Sequence, residues 1–313
     1  MVSFRQRLAN LFARIVQKPT LATPWPQPIA RKIFDLNALL LYKRPRDIRV
    51  TPDRLGGVPG AWVTRDGQAE HGVLLYLHGG GFVIGSLAGY RHLVARLGAA
   101  AGLRAYFVAY RLAPEHPYPA APEDALAAYR ALLLAGHSPE RITLVGDSAG
   151  GWLVARLLQD IARLGLPMPA RAAFLSPITD LTFSGRSISE NRARDPLLPV
   201  AWARRSVAAF VGDRETAKPA LSPLFGDVGG WPPCLIQVSD SEILRDDSLR
   251  LAEAITRAGG EVDLRLWRDV PHVWHLMAGR TPEADTAIEE VAGFLQPVWL
   301  GPDTEHAPVT DQS

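Results

Sequence analysis

Residues Thr143 to Leu158 read TLVGDSAGGWLVARLL: an apolar strand-like run, a serine fenced by glycines, then apolar residues at helical spacing. Gly146-Asp147-Ser148-Ala149-Gly150 fits the pattern G-x-S-x-G. A strand over Ile142–Val145 that feeds a helix beginning at Ala149 leaves so short a turn that Ser148 is forced into a strained backbone conformation. Small neighbours are needed there because a Cβ at either flank would clash. Such a turn lifts the serine hydroxyl clear of a sheet and sets the N–H of Ala149 at a helix N-terminus. It also places an acid, Asp147, directly before the serine, which raises the question of what that acid does. A tight strand-to-helix turn with an incidental serine gives the same pattern, so the rest of the chain has to decide.

Outward from this turn, strands and helices alternate. Apolar runs read as strands in GVLLYL, RAYFVAY, ITLVG, AAFLSP, CLIQVS and VDLRLW. Helical patterns fall over 88–101, 122–135, 149–164, 246–258 and 283–295. Continuous apolar strands alternating with helices predict an α/β fold, a mostly parallel central sheet covered by helices on both faces. A short strand pair is expected near Ile48–Val50 and Gly60–Thr64. The rhythm breaks between Ser176 and Pro233, which reads as an insertion containing a helix-like VAWARRSVAAFVG. Upstream, residues 3–17 carry Phe4, Leu8, Leu11, Phe12 and Ile15 on one side of a helical pattern with arginines on the other. A proline-rich link (Pro19, Pro24, Pro26, Pro28) and a second helix over Ile29–Leu41 follow.

The 313 residues suit one large domain or two small ones, and a 47% hydrophobic content against 21% charged supports a sizeable core. Thirty-four Lys and Arg against 32 Asp and Glu give no basis for nucleic acid as a partner. The single cysteine, Cys234, excludes an intrachain disulfide and suits a reducing, cytoplasmic setting. Residues 1–18 lack the uninterrupted apolar run of a signal peptide, and no uncharged apolar stretch is long enough to span a membrane.

A serine hydroxyl needs a base, a group to orient that base, and donors for the developing oxyanion. In an open α/β sheet these should follow the carboxyl ends of strands. His78-Gly79-Gly80-Gly81 does so, and its glycines let backbone N–H groups turn inward, as in the HGGG element of esterases. A phosphate cradle would want a lysine in the loop, and none is there. His78 itself reads as a brace for that loop. Among eight histidines, His272 follows the last strand and a proline turn, where a loop can present an imidazole. His275 begins an apolar stretch and reads as packing. The orienting acid should lie between serine and histidine in the chain. SDSEILRDD offers Asp240, Glu242, Asp246 and Asp247. The last two suit the first turn of the next helix, which leaves Glu242 and Asp240.

With these residues in view, the chain resembles bacterial members of the hormone-sensitive-lipase family of α/β-hydrolases. The matching stretches are HGGGFVIGS (78–86), VAYRLAPEHPYPAAPEDA (108–125), VGDSAGG (145–151), LSPITDLT (175–182), SDSEILRDDSLRLAEAI (239–255) and WRDVPHVWH (267–275). The resemblance implies Ser148 as nucleophile, His272 as base, and the N–H groups of Gly80, Gly81 and Ala149 as the oxyanion hole. At the acid, the family's usual aspartate-proline-leucine pattern reads Glu242-Ile243-Leu244 here, so the resemblance implies Glu242. It implies a structural part for Tyr110–Glu115.

The activity implied is a carboxylesterase acting on short- to medium-chain esters or lactones through an acyl-enzyme, with no metal and no cofactor. A long-chain lipase, an amidase or a deacetylase would use the same triad. A non-catalytic receptor, as the plant gibberellin receptor is, lacks the working histidine that His272 supplies here. The expected organisation is an N-terminal helical cap segment (1–45), a catalytic core (46–178 and 223–300), a cap insertion (179–222) and a flexible tail (301–313). Phe4, Phe12, Leu36 and Leu40, or Trp202 and Phe210, could line the pocket. Docking of the cap explains the apolar stripe of the first helix, with rest on a membrane surface as the alternative. The expected partner is a small-molecule ester or lactone, with no stable membrane insertion; a homodimer is left open.

Overall fold

Residues 2–296 of this computed structural model are described; the expected tail lies outside them. The strands are β1 (Ile48–Leu55), β2 (Val58–Arg65), β3 (Val73–Leu77), β4 (Arg104–Val108), β5 (Ile142–Asp147), β6 (Arg171–Leu175), β7 (Cys234–Ser239) and β8 (Val262–Trp267). They form one sheet in the order β1-β2-β4-β3-β5-β6-β7-β8. The pairs β1/β2 and β2/β4 are antiparallel and all the others are parallel. The first hairpin is longer than the short strand pair expected from the sequence. It turns at Gly56-Gly57, whose φ values of 60° and 81° suit a two-residue turn with the twist of its strands.

In chain order the helices are α1 (Phe4–Phe12), α2 (Lys18–Ala22), α3 (Gln27–Leu41), α4 (Leu87–Ala101), α5 (Ala120–Leu134), α6 (Ala149–Arg163), α7 (Ser187–Glu190), α8 (Val200–Val211), α9 (Arg245–Arg257) and α10 (Pro282–Leu295). Successive strand residues face opposite ways. Leu75, Leu77 and Leu144 accordingly pack into a core with residues of α5, α6, α8 and α9. Leu74, Tyr76 and Val145 pack into a second core with α4 and α10.

Two expectations about the N-terminal segment are corrected. The proline link does not begin at Pro19, because a π-helical turn over Ala13–Gln17 joins α1 to α2 and Pro19 lies inside the continuous helix. The wider turn accommodates the proline, which supplies no N–H. The first helix also does not dock by its apolar stripe. Its buried residues are Gln6 and Ala13; of the stripe, Phe12 is half-buried against a cavity while Phe4, Leu8, Leu11 and Ile15 are exposed. Polar bonds fix it: Asn10 donates to the Asp269 carbonyl, Arg14 to the carbonyls of Ala193 and Arg194, and Lys18 to those of Arg192 and Asp195.

Candidate active site

Ser148 sits between β5 and α6 with φ 52° and ψ −116°, a conformation that L residues avoid. A Cβ on Gly146 would come within 2.3 Å of the Gly150 carbonyl oxygen, and one on Gly150 within 1.9 Å of the Leu77 oxygen. The glycine fence is therefore a steric requirement of this turn. Ile178 N–H and Trp152 N–H both donate to the Ser148 carbonyl, and Ser148 N–H donates to the Leu175 carbonyl. These bonds hold the strain in place.

The structure brings the expected residues together from separate strands. His272, in the loop after β8, approaches Ser148 Oγ with Nε2 at 2.9 Å. Its Nδ1 lies 2.5 Å from Glu242 Oε2, in the loop after β7. The other oxygen of Glu242 accepts from Ser239 N–H at 2.7 Å and from Ser176 Oγ at 2.9 Å. Burial alone would lower the His272 pKa. The hydrogen bond and charge of Glu242, with the charges of Asp195 and Asp147 behind it, outweigh burial and leave that pKa raised above its ordinary value.

Of the two acids in this loop, Glu242 faces His272. Asp240 points away, accepting from Asp269 N–H at 3.1 Å and facing Arg194. Asp246 and Asp247 tie the start of α9 to the insertion: Asp246 accepts from Ser187 N–H, and Asp247 from Thr179 and Asp180 N–H. His275 packs against Trp274 and meets Gln237 at 2.8 Å, and burial pushes its pKa down to about 3, so it stays neutral.

The glycine loop lies across from Ser148. Gly80 and Gly81 have φ of 108° and 60°, open only to glycine without strain. Among the described residues no acceptor takes either N–H. Gly80 lines the same cavity as Ser148 and His272, and Gly81 abuts Trp202 and Ser206 on α8. Ala149 opens α6, where the first N–H groups have no partner within the helix. His78 braces the loop as expected: it is stacked on Tyr110 and Phe107, its Nδ1 meets the Gly79 carbonyl, and burial lowers its pKa to about 4. Tyr110 in turn donates to the His78 carbonyl, while Arg111 pairs with Asp124 and Glu115 with Arg31. Tyr110–Glu115 is thus structural in this protein.

Two positioning residues were not legible as such. Asp147, the acid before the serine, accepts from Gly79 N–H and Tyr76 OH at 2.8 Å and from Tyr90 OH at 2.9 Å. It ties the serine turn to the glycine loop, and burial raises its pKa to about 6 against the lowering pull of these bonds. Its place in GDSAG was visible; its partners were not. Asp195, in the insertion, accepts from Ile243 N–H beside Glu242, while Asn191 donates to the carbonyls of Asp240 and Glu242. Nothing periodic or motif-like marks either one.

A cavity of about 240 Å³ opens on Ser148 and His272, with Trp25, Phe34, Leu198 and Trp202 among its walls. A second, of about 290 Å³, reaches His272 from the side of α1 between Leu8, Phe12 and Met277. Of the expected lining residues, Trp202 and Phe12 face these spaces. Phe210 instead stacks on Phe82 in the core, and Phe4, Leu36 and Leu40 point to solvent.

Residues 74–276 match a family model described as having the α/β-hydrolase fold. The chain is 42% identical over 242 residues to an acetyl-hydrolase of Streptomyces hygroscopicus, covering 77% of this chain and 81% of that protein. It is 32% identical to an esterase of Acinetobacter venetianus, over 90% of this chain and 94% of that one. A crystal structure of an esterase from the bacterial hormone-sensitive-lipase family superposes with a TM-score of 0.89 at 37% identity, covering 95% and 98% of the two chains. Another, of an esterase soaked with p-nitrophenyl butyrate, gives 0.90 at 35% identity over 96% and 100%. The fold and the serine turn define an α/β-hydrolase of the esterase class. Within it, this chain belongs to the hormone-sensitive-lipase family. Among the described residues no helix is long and apolar enough to cross a membrane.

Proposed function

We propose that this esterase hydrolyses short- to medium-chain carboxylic esters through a Ser148–His272–Glu242 triad. The observation that carries the reading is the unbroken relay from Ser148 Oγ through both ring nitrogens of His272 to Glu242. Ser148 Oγ attacks the ester carbonyl as His272 Nε2 takes its proton. Glu242 accepts from Nδ1–H, which fixes the tautomer and steadies the imidazolium. The N–H groups of Gly80, Gly81 and Ala149 receive the oxyanion. The tetrahedral intermediate collapses as His272 returns the proton to the departing alcohol. Water, deprotonated by the same nitrogen, then clears the acyl-enzyme.

The substrate range rests on two supports. The cavities on either side of His272, about 240 and 290 Å³, lie just below the roughly 300–1,000 Å³ usual for ligand sites. Similar proteins include the Streptomyces acetyl-hydrolase and an ethyl acetate hydrolase of Pseudomonas putida, 33% identical over 80% of each chain. In this reading the described parts of residues 1–45 and 179–222 serve as the cap over the site, and those of 46–178 with 223–300 as the core. An organophosphonate should label Ser148 and no other serine, as peptide mapping by mass spectrometry will show. An adduct elsewhere, or none on folded protein, overturns the assignment.

A further inference from the structure

The first helix is seated with its apolar side outward. Gln6, Asn10 and Gln17 share the side that faces the body, with Gln6 and Ala13 buried. On the opposite side Phe4, Leu8, Leu11 and Ile15 recur at three- and four-residue spacing, and Phe4, Leu11 and Ile15 are 67%, 53% and 61% exposed. α3 repeats the arrangement: Ala38 is buried, while Ile29, Leu36 and Leu40 point outward. Soluble surfaces carry single exposed apolar residues, whereas outward stripes on two helices that both wall one cavity signal an interaction site.

Charge indicates the partner. Residues 1–46 hold nine Lys and Arg and a single acid, Asp35, so the remaining chain carries 25 basic residues against 31 acidic ones. Arg5, Arg7 and Lys32 flank the outward stripes, and their side chains are in no ion pair or side-chain hydrogen bond among the described residues. An amphipathic helix with apolar residues on one side and Arg or Lys along its borders lies in the plane of an anionic membrane surface. The stripes also adjoin the way in. Leu8 and Arg5 line the cavity that reaches His272 from the α1 side, and the exposed Trp25 lines the cavity over Ser148.

We propose that α1 and α3 form a docking face for an anionic phospholipid surface. Phe4, Leu11, Ile15, Leu36 and Leu40 enter the headgroup boundary while Arg7 and Lys32 meet lipid phosphates. Docking sets both cavity mouths at the interface, so that esters dissolved in the lipid reach Ser148 without crossing water. That last step rests on the esterase reading; the docking itself does not.

The test is co-sedimentation of the full chain with vesicles of phosphatidylcholine containing about a third phosphatidylglycerol, and with phosphatidylcholine alone. The protein should bind the anionic vesicles, and binding should weaken as salt rises from 0.05 to 0.5 M. Arg7→Glu should weaken it by at least about five-fold, the worth of one basic side chain at such a surface. Phe4→Asp with Leu11→Asp should abolish it, while turnover of soluble p-nitrophenyl acetate stays at the parent level. Those variants touch neither cavity, so retained turnover shows that they fold. Equal binding by parent and double variant overturns the proposal, as does no binding by the parent at low salt. It is also overturned if the double substitution converts a dimer to a monomer in light scattering, since the face then belongs to a second copy. Failure of the esterase reading would appear separately, as absent turnover with vesicle binding intact.

Discussion

Glu242 shows how far a single side chain can be read. The residues of SDSEILRDD alone leave two acids in one loop; the family resemblance points to Glu242, and in the structure it is Glu242 that faces His272 while Asp240 turns away. Glu242 is buried with both oxygens occupied by His272, Ser239 N–H and Ser176, whereas Asp240 is half-buried and serves the turn. Glu242→Gln should fold and lose roughly 10²- to 10⁴-fold in kcat, because the amide neither fixes the tautomer nor steadies the imidazolium. Asp240→Asn should cost far less, and steady-state kinetics on one small ester compares them. The pH profile gives a sharper check. His272 works as a base only when neutral, so activity falls as pH drops through its raised pKa. Without the Glu242 charge, burial gains weight and that pKa falls. The acid limb of kcat/KM for Glu242→Gln should therefore move to lower pH than in the parent. A limb that stays in place would mean that another group sets it. The serine, the histidine and the glycine loop were legible because each carries a local signature after a strand. Asp147 carries half of one: its position is fixed by the turn, but its bonds go to Tyr76, Gly79 and Tyr90, which sequence separation hides.

Elements divide the same way. Strands β3 to β7 and the helices between them were read to within a few residues, because buried parallel strands are continuous apolar runs. The helix running from Phe4 to Ala22 was misjudged at both of its informative features. A π-turn let it pass Pro19, and amphipathicity announces that a stripe exists without saying which way it faces. The insertion was read as a break in rhythm carrying one helix and as part of a cap; that it also supports the acid loop was not legible. Lys18 Nζ donates to the Asp195 carbonyl at 2.6 Å, and the Asp195 carboxylate accepts from Leu197, Leu198 and Ile243 N–H at 2.8–2.9 Å. Helix, insertion and acid loop are thus one chain of contacts. Asp195→Ala strands those N–H groups, two of them buried, and should cost about 2–4 kcal/mol of stability. Asp195 lines neither cavity, so KM for a small ester should hold while kcat falls with the looser Glu242 loop. Asp195→Asn, which keeps one acceptor oxygen, should lie between. Urea unfolding and initial rates on the three proteins decide this, and a KM effect without a kcat effect would place Asp195 in substrate binding.

At the scale of the molecule, the sheet sets the groups of the proposed triad and oxyanion hole at the carboxyl ends of β3, β5, β7 and β8, and the segments from Gln17 to Asn37 and Leu197 to Ser206 line the cavity over them. A covered site limits chain length. Each methylene of an acyl chain gains about 0.8 kcal/mol on burial, close to four-fold in kcat/KM, for as long as apolar wall remains to receive it. Once a space of about 240 Å³ is filled, the next methylene must displace Trp25, Trp202 or Leu198, and overpacking costs about 1–3 kcal/mol. The p-nitrophenyl ester series should therefore rise from acetate to about butyrate or hexanoate and fall steeply toward palmitate. Removing residues 1–40 deletes Trp25 and Phe34 from the wall together with the Lys18 contact to Asp195. That variant should be less stable, with a lower kcat and a flatter dependence on chain length. A limit set by the space over Ser148 does not depend on how the ester arrives, so it should persist when the ester is presented in phospholipid vesicles. A parent protein that prefers palmitate, or hydrolyses emulsified triolein at a comparable rate, would show that the cap moves aside, and the cavity drawn here would no longer set the substrate.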